Sequence, residues 1–169
     1  SKPPKFHNRA SSSAESGEQR LKQLEEKLDV ECNEDETRIL GLVGMAGIGK
    51  TYLADKLFVK LKTEIGRGLF IKFGNGKTKQ QELDSLQKTI VEGLLKRDYP
   101  NLRFADGNTR EDWKNLLIEK KVAIVFDNVS DEEQIESLLG KYDWIKEGSR
   151  IIITTRDKSL IEGLDCGLY

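Results

Sequence analysis

The sequence predicts an α/β fold: a mostly parallel sheet covered by helices on both faces. Three observations predict it. Short apolar runs at Ile39–Val43, Leu69–Phe73, Val122–Phe126 and Ile151–Ile153 read as strands, and the first and third are continuous enough to be buried on both sides. Segments with apolar residues at helical spacing separate these runs. Polar residues capable of chemistry fall just past the carboxyl ends of the runs, where wound sheets bind ligands.

The elements follow in order. Glu18–Leu28 carries Leu21, Leu24 and Leu28 at helical spacing among charges, which predicts a short surface helix. Val30–Thr37 is acidic and reads as a loop. After the first strand come Gly44-Met45-Ala46-Gly47-Ile48-Gly49-Lys50-Thr51, a full match to the phosphate-binding pattern G-x-x-x-x-G-K-[ST]. Its glycines let the backbone wrap a polyphosphate with several N–H groups aimed inward. Lys50 supplies a cation for the terminal phosphates and the Thr51 hydroxyl a ligand for magnesium. Leu53, Leu57 and Leu61, with Ala54 and Phe58, then mark an amphipathic helix whose N-terminus points its free N–H groups at the phosphates.

Gly66 and Gly68 bracket a turn before the second strand. Gly74-Asn75-Gly76-Lys77-Thr78 repeats Gly-Lys-Thr without the spaced first glycine and reads as a flexible surface turn. Leu83, Leu86, Ile90 and Leu94 mark a long helix, and residues 97–108 a loop with Pro100 and Gly107. Thr109–Asp112 resembles a helix start, and that helix carries Trp113, Leu116 and Leu117. Beyond the third strand, Ser130-Asp131-Glu132-Glu133 fits a capping box ahead of Ile135, Leu138 and Leu139. Thr154-Thr155-Arg156-Asp157 and a short helical start follow the fourth strand.

Asp127 directly follows Val122–Phe126. Taken alone, an acid at that place reads as a turn cap; opposite a phosphate loop it reads as a magnesium ligand. Arg156 at the end of the fourth strand can sense a γ-phosphate, or stand as a surface arginine. Asn128 occupies a place where many such ATPases carry a second acid, and an amide cannot act as a general base. Slow or absent hydrolysis is the expectation.

Composition narrows the rest. Lysine plus arginine (28) balances aspartate plus glutamate (29), and a net charge of −1 gives no electrostatic reason for nucleic-acid binding. No apolar stretch has the length of a membrane span. Cys32 and Cys166 lack metal-ligand spacing and read as free thiols, and His7 stands alone in a polar stretch. Residues 1–15 read as a linker arm and 16–169 as one nucleotide-binding domain. The abrupt ends suggest a fragment of a larger protein.

Four segments together resemble the nucleotide-binding domain of plant immune receptors of the NLR class. They are Arg38–Thr51; Lys120–Val129; Trp144–Asp157 with its Gly148-Ser149-Arg150-Ile151-Ile152-Ile153-Thr154-Thr155-Arg156; and Gly17–Leu21 with the adjoining Leu-Glu-rich helix. The chain is most similar to the subclass whose full-length proteins begin with a TIR domain. The resemblance implies a P-loop NTPase three-layer sandwich, STAND- and AAA-like, truncated before the helical ARC subdomains. It implies a switch that holds ADP at rest and ATP when active, with magnesium. By motif match Gly44, Gly47, Gly49, Lys50 and Thr51 would hold phosphates, Asp127 magnesium, and Arg156 the γ-phosphate. The candidate cofactor-binding set is Gly44–Thr51 with Tyr52 and Arg156, the candidate metal ligands are Thr51 and Asp127, and no catalytic residue is assigned.

The implied partners are adenine nucleotide, the TIR, ARC and leucine-rich-repeat domains of the same receptor, and other receptor protomers, in the cytoplasm or nucleus. The family usually has Asp-Asp where this chain has Asp127-Asn128, Thr or Ser in place of Tyr52, and an apolar pair near Ala14-Glu15 that packs on adenine. Without the closing subdomains, affinity is expected in the micromolar range or weaker, about −8 kcal/mol. The strand that would pair beside Ile39–Val43 is expected to lie past Tyr169, leaving an exposed edge. Two other readings stay open: a working ATPase or phosphotransferase, and an interaction scaffold that no longer binds nucleotide.

Overall fold

The computed structural model describes residues 17–29, 38–44, 49–101, 115–139, 145–162 and 167–168. The arm over 1–15, the acidic loop Val30–Thr37, the helix start at Thr109–Trp113, and His7, Cys32, Trp144 and Cys166 lie outside these residues.

The elements run α1 (Gly17–Asp29), β1 (Arg38–Val43), α2 (Lys50–Ile65), β2 (Gly68–Lys72), α3 (Gln80–Leu95), β3 (Ala123–Val129), α4 (Glu132–Leu139), β4 (Arg150–Thr155), α5 (Lys158–Glu162) and β5 (Gly167–Leu168). The strands form one sheet in the order β2-β3-β4-β1-β5, parallel throughout.

Strand alternation sorts the core into two layers. Leu40, Leu42, Ala123, Val125 and Ile152 face α1 and α2, where Leu24, Leu53, Ala54, Leu57 and Leu61 close the layer. Ile71, Ile124, Phe126, Ile151 and Ile153 face the other way, against α3, α4 and α5 through Ile90, Val91, Leu94, Leu95, Ile135, Leu160 and Ile161. The three-layer sandwich follows from this division. Each fully buried aliphatic side chain stabilises it by about 1.5–3 kcal/mol.

Because β1 leads into α2 on one face and β4 into α5 on the other, the connections part between two neighbouring strands. Such a parting opens a crevice at the carboxyl edge of the sheet. Gly41 makes the close packing beneath it possible: a Cβ there would lie 2.5 Å from Ile161 Cγ2.

Four expectations need correction. The helix at Glu18–Leu28 is more than a surface helix, since Leu24 is fully buried against α2 and Lys60 donates to Glu25 at 3.3 Å. The edge beside β1 is not left entirely open, because Gly167 and Leu168 pair with Leu40 and Gly41. The capping box is shifted by one residue. Asp131 Oδ1 accepts from the Glu133 N–H (2.9 Å), and Gln134 Oε1 accepts from the N–H groups of Ser130 (2.8 Å) and Asp131 (3.3 Å). Lastly, the turn at Gly74–Thr78 is held rather than loose, because Asn128, Ser130 and Gln134 donate to Asn75, Gly76 and Thr78.

Candidate nucleotide-binding site

The site grows from the junction of β1 and α2. The Gly44 N–H donates to Thr155 O at 3.1 Å, which ties the start of the phosphate loop to β4. Met45, Ala46, Gly47 and Ile48 lie outside the described residues. Gly49 resumes the chain with φ 90°, a left-handed conformation that a Cβ would strain, and α2 begins at the next residue. Lys50 and Thr51 therefore stand at the first turn of a 16-residue helix, beside its unpaired N–H groups.

The Thr51 hydroxyl meets both carboxylate oxygens of Asp127, at 3.1 and 3.2 Å. Asp127 is 1% exposed and also accepts a 2.5 Å bond from the Thr154 hydroxyl. The Lys50 ammonium donates to the Gly44 carbonyl. Its pKa lies below the ordinary lysine value, first because it is partly buried and second because the Arg156 guanidinium repels it; the Asp127 carboxylate offsets part of this. A cation so placed favours an anionic ligand, which would supply the charge it lacks.

Around this centre opens a cleft of about 500 Å³ lined by Gly49, Lys50, Thr51, Tyr52, Lys72, Asn75, Asp127, Asn128, Thr154 and Arg156. Lys50, Lys72 and Arg156 face a single carboxylate there, on a chain whose net charge is −1. That concentration of positive charge suits a polyphosphate. The pairing of Thr51 with Asp127 suits a hard cation, which takes hydroxyl and carboxylate oxygens. No group of three or more His, Cys, Asp or Glu side chains converges among the described residues. A magnesium ion at Thr51 and Asp127 would accordingly need phosphate and water oxygens to complete its shell.

Every candidate site residue within the described chain except Gly44 lines this cleft, although Thr51 comes from α2, Asp127 from β3 and Arg156 from the turn after β4. Tyr52 is exposed there, with the Lys56 ammonium 5.6 Å from its ring centroid.

The sequence reading missed Lys72, Asn75 and Thr154, and it treated Asn128 only as a missing acid. Asn128 has φ 65°, the only positive φ of a non-glycine residue in the described chain. Asn tolerates that conformation better than most residues. The run Asp127-Asn128 after a strand is the signal that could have suggested it. Similarly, Ser149 and Arg150 of the Gly-Ser-Arg run serve the fold. Ser149 Oγ accepts from the Val122 N–H at 3.0 Å, and the Arg150 guanidinium donates to the Gly148 and Ser149 carbonyls.

Comparison with known proteins identifies the family and the fold. The family profile of the NB-ARC domain matches residues 17–166. Among curated proteins of Arabidopsis thaliana, the disease resistance protein LAZ5 is 44% identical over 146 residues, 86% of this chain. The disease resistance-like protein CSA1 is 40% identical over 159 residues, 94% of the chain. The chain spans only 12% and 13% of the length of these two relatives.

Among solved structures, Cdc6p of Pyrobaculum aerophilum superposes with a TM-score of 0.53 at 20% identity, covering 86% of this chain and 40% of that one. The ORC2 protein of Aeropyrum pernix gives 0.54 at 13% identity, covering 89% of this chain and 46% of that one. At such identities the likeness concerns the fold, that of the P-loop NTPases. No helix among the described residues is long and apolar enough to cross a membrane. By profile, by relatives and by the cleft at the end of its parallel sheet, this chain belongs to the NB-ARC domain family, the nucleotide-binding module of plant disease resistance proteins.

Proposed function

We propose that this domain is the adenine-nucleotide switch of a plant intracellular immune receptor, holding ADP at rest and ATP with magnesium when active. One observation carries the reading: Thr51 of the loop–helix junction and Asp127 of β3, 76 positions apart, meet within 3.2 Å beside Lys50. A scaffold without a ligand has no need to concentrate three cations around one buried acid. The ORC2 structure of Aeropyrum pernix, of the same fold, was solved as ADPNP and ADP complexes.

In this reading residues 16–169 form the switch domain and 1–15 an arm leading into it. Its partners are the TIR, ARC and leucine-rich-repeat domains of one receptor and the protomers of an assembled ring, in the cytoplasm or the nucleus. Gly44 through Tyr52 hold the phosphates, Thr51 and Asp127 the magnesium, and Arg156 reads the γ-phosphate.

Thermal unfolding with and without Mg-ADP or Mg-ATP tests it. A ligand at a thousandfold excess over Kd stabilises the folded state by about 4 kcal/mol. The wild type should show a clear rise in Tm and Lys50→Ala none. The absence of any shift with either nucleotide in well-folded wild type would leave the scaffold reading standing.

Turnover is slow or absent in this reading. Asn128 has no basic atom to activate water, and its amide nitrogen is committed to the Phe73 carbonyl (3.0 Å) and to Asn75 Oδ1 (3.1 Å). Single-turnover measurement checks this: a rate near one per second, on the order of a typical enzyme's, that is lost on Lys50→Ala would mark a working ATPase instead.

A further inference from the structure

Lys72 and Asn75 line the same cleft as Lys50 and Arg156, yet nothing in the phosphate-binding pattern accounts for them. Lys72 ends β2 and is the register partner of Asp127. Register partners in a sheet project to the same face, so Lys72 stands beside Asp127 on the side that carries α2. Its ammonium makes no hydrogen bond or ion pair among the described residues, whereas Asp127 is engaged by Thr51 and Thr154. Lys72 is thus a cation lining the cleft that forms no ion pair among the described residues, since the neighbouring Asp127 is already engaged.

The turn that follows β2 is fastened to the end of β3 and the start of α4 by four side-chain hydrogen bonds. Asn128 Nδ2 donates to Phe73 O at 3.0 Å and to Asn75 Oδ1 at 3.1 Å. The Ser130 hydroxyl donates to Gly76 O at 3.3 Å, and Gln134 Nε2 to Thr78 Oγ1 at 2.6 Å. Asn128 reaches two of these acceptors from a left-handed backbone that breaks the β3–β4 register between Phe126 and Val129. Its own N–H is satisfied by Thr154 Oγ1 at 2.8 Å. A carboxylate at 128 would accept where the turn needs a donor, so the amide has a positive role here.

The strand order decides which part of a ligand this arm can reach. The phosphate loop leaves β1; β4, β3 and then β2 lie progressively farther from it. Phosphates gripped at Lys50 and Thr51 run toward Asp127, and β2 can be reached only beyond Asp127. Resting on the nucleotide reading given above, we propose that Lys72 and Asn75, held in place by Asn128, form a second arm of the cleft that contacts the terminal phosphate of a nucleoside triphosphate and does not touch a diphosphate. Lys72 neutralises the extra charge and the Asn75 amide donates to an oxygen of that phosphate. Asn128 is the positioning residue. It gives the chain a means of telling the two nucleotides apart that is independent of Arg156.

Calorimetric titration of the whole 169-residue chain with Mg-ADP and with a non-hydrolysable Mg-ATP analogue tests this in Lys72→Ala, Asn75→Ala and Asn128→Gly. Glycine keeps the positive φ at 128 and removes only the amide. Each variant should bind the analogue at least fivefold more weakly and ADP within twofold of wild type. Asn75→Ala combined with Asn128→Gly should lose little more than either alone, because one acts through the other. Hydrogen exchange of the 74–78 amides should quicken in Asn128→Gly and stay unchanged in Lys72→Ala. Equal weakening of both ligands, or of neither, would overturn the arm while leaving nucleotide binding intact. Failure of the wild type to bind ADP would instead remove the nucleotide reading, and this proposal with it.

Discussion

The Thr51 hydroxyl lies 3.1 and 3.2 Å from the two carboxylate oxygens of Asp127. One residue stands in the first turn of α2 and the other sits near the end of β3 on the sheet beneath it. Their pairing joins the two halves of the site, and Thr154 completes it by donating to the same carboxylate.

Nucleotide affinity should fall as pH rises through the lowered pKa of Lys50. The folded-state value lies below the unfolded 10.5. Between the two, the unfolded chain binds the extra proton, so the lysine's own contribution to stability increases with pH across that window. A bound polyphosphate restores the ammonium, so binding at alkaline pH takes up a proton. Calorimetry in buffers of different ionisation heat measures the uptake. In Arg156→Ala the midpoint should move upward, since Arg156 is one cause of the depression.

Arg156→Ala should weaken ATP more than ADP, by about tenfold in the ratio of Kd values, or ~1.4 kcal/mol. Arg156 is exposed at the lip of the cleft, one residue past the buried end of β4. Titration of both nucleotides against the variant decides the matter. Equal weakening would make it a surface charge.

Thr154→Val should destabilise the fold by about 1–3 kcal/mol, because it strips a buried carboxylate of the closer of its two hydroxyl donors and leaves a backbone N–H without its acceptor. The hydroxyl bridges Asp127 and the Asn128 N–H at 2.5 and 2.8 Å. Urea unfolding gives the stability change. Binding with and without magnesium should show that the metal-dependent part of the affinity suffers most.

Gly41→Ala should cost about 1–3 kcal/mol through overpacking. The new methyl would lie 2.5 Å from Ile161 Cγ2 and 3.1 Å from two further atoms of that buried side chain. Denaturant unfolding of Gly41→Ala, of Ile161→Ala and of the two combined checks this. The double variant should lose less than the sum of the single losses, because alanine at 161 removes the Cγ2 that the new methyl would meet.

The sequence alone determined the wound parallel sheet, and it singled out Lys50, Thr51, Asp127 and Arg156, which the fold brings to one cleft. These depend on local patterns: apolar runs of strand length, leucines at helical spacing, and glycines ahead of a helix. Tertiary structure decided what depends on groups distant in sequence. Lys72 and Asn75 reach the cleft because β2 lies beside β3, a neighbour 55 residues away in the Lys72–Asp127 pair. Read from local sequence, Gly74–Thr78 was a loose turn; Asn128, Ser130 and Gln134 make it a fixed one. Asn128 read as a lost acid because its worth lies in a backbone dihedral and two acceptors far along the chain. The edge of β1 was likewise misjudged, since two residues at the far end of the domain pair with it. A periodicity reports which face of an element is buried; only packing reports which other element covers it.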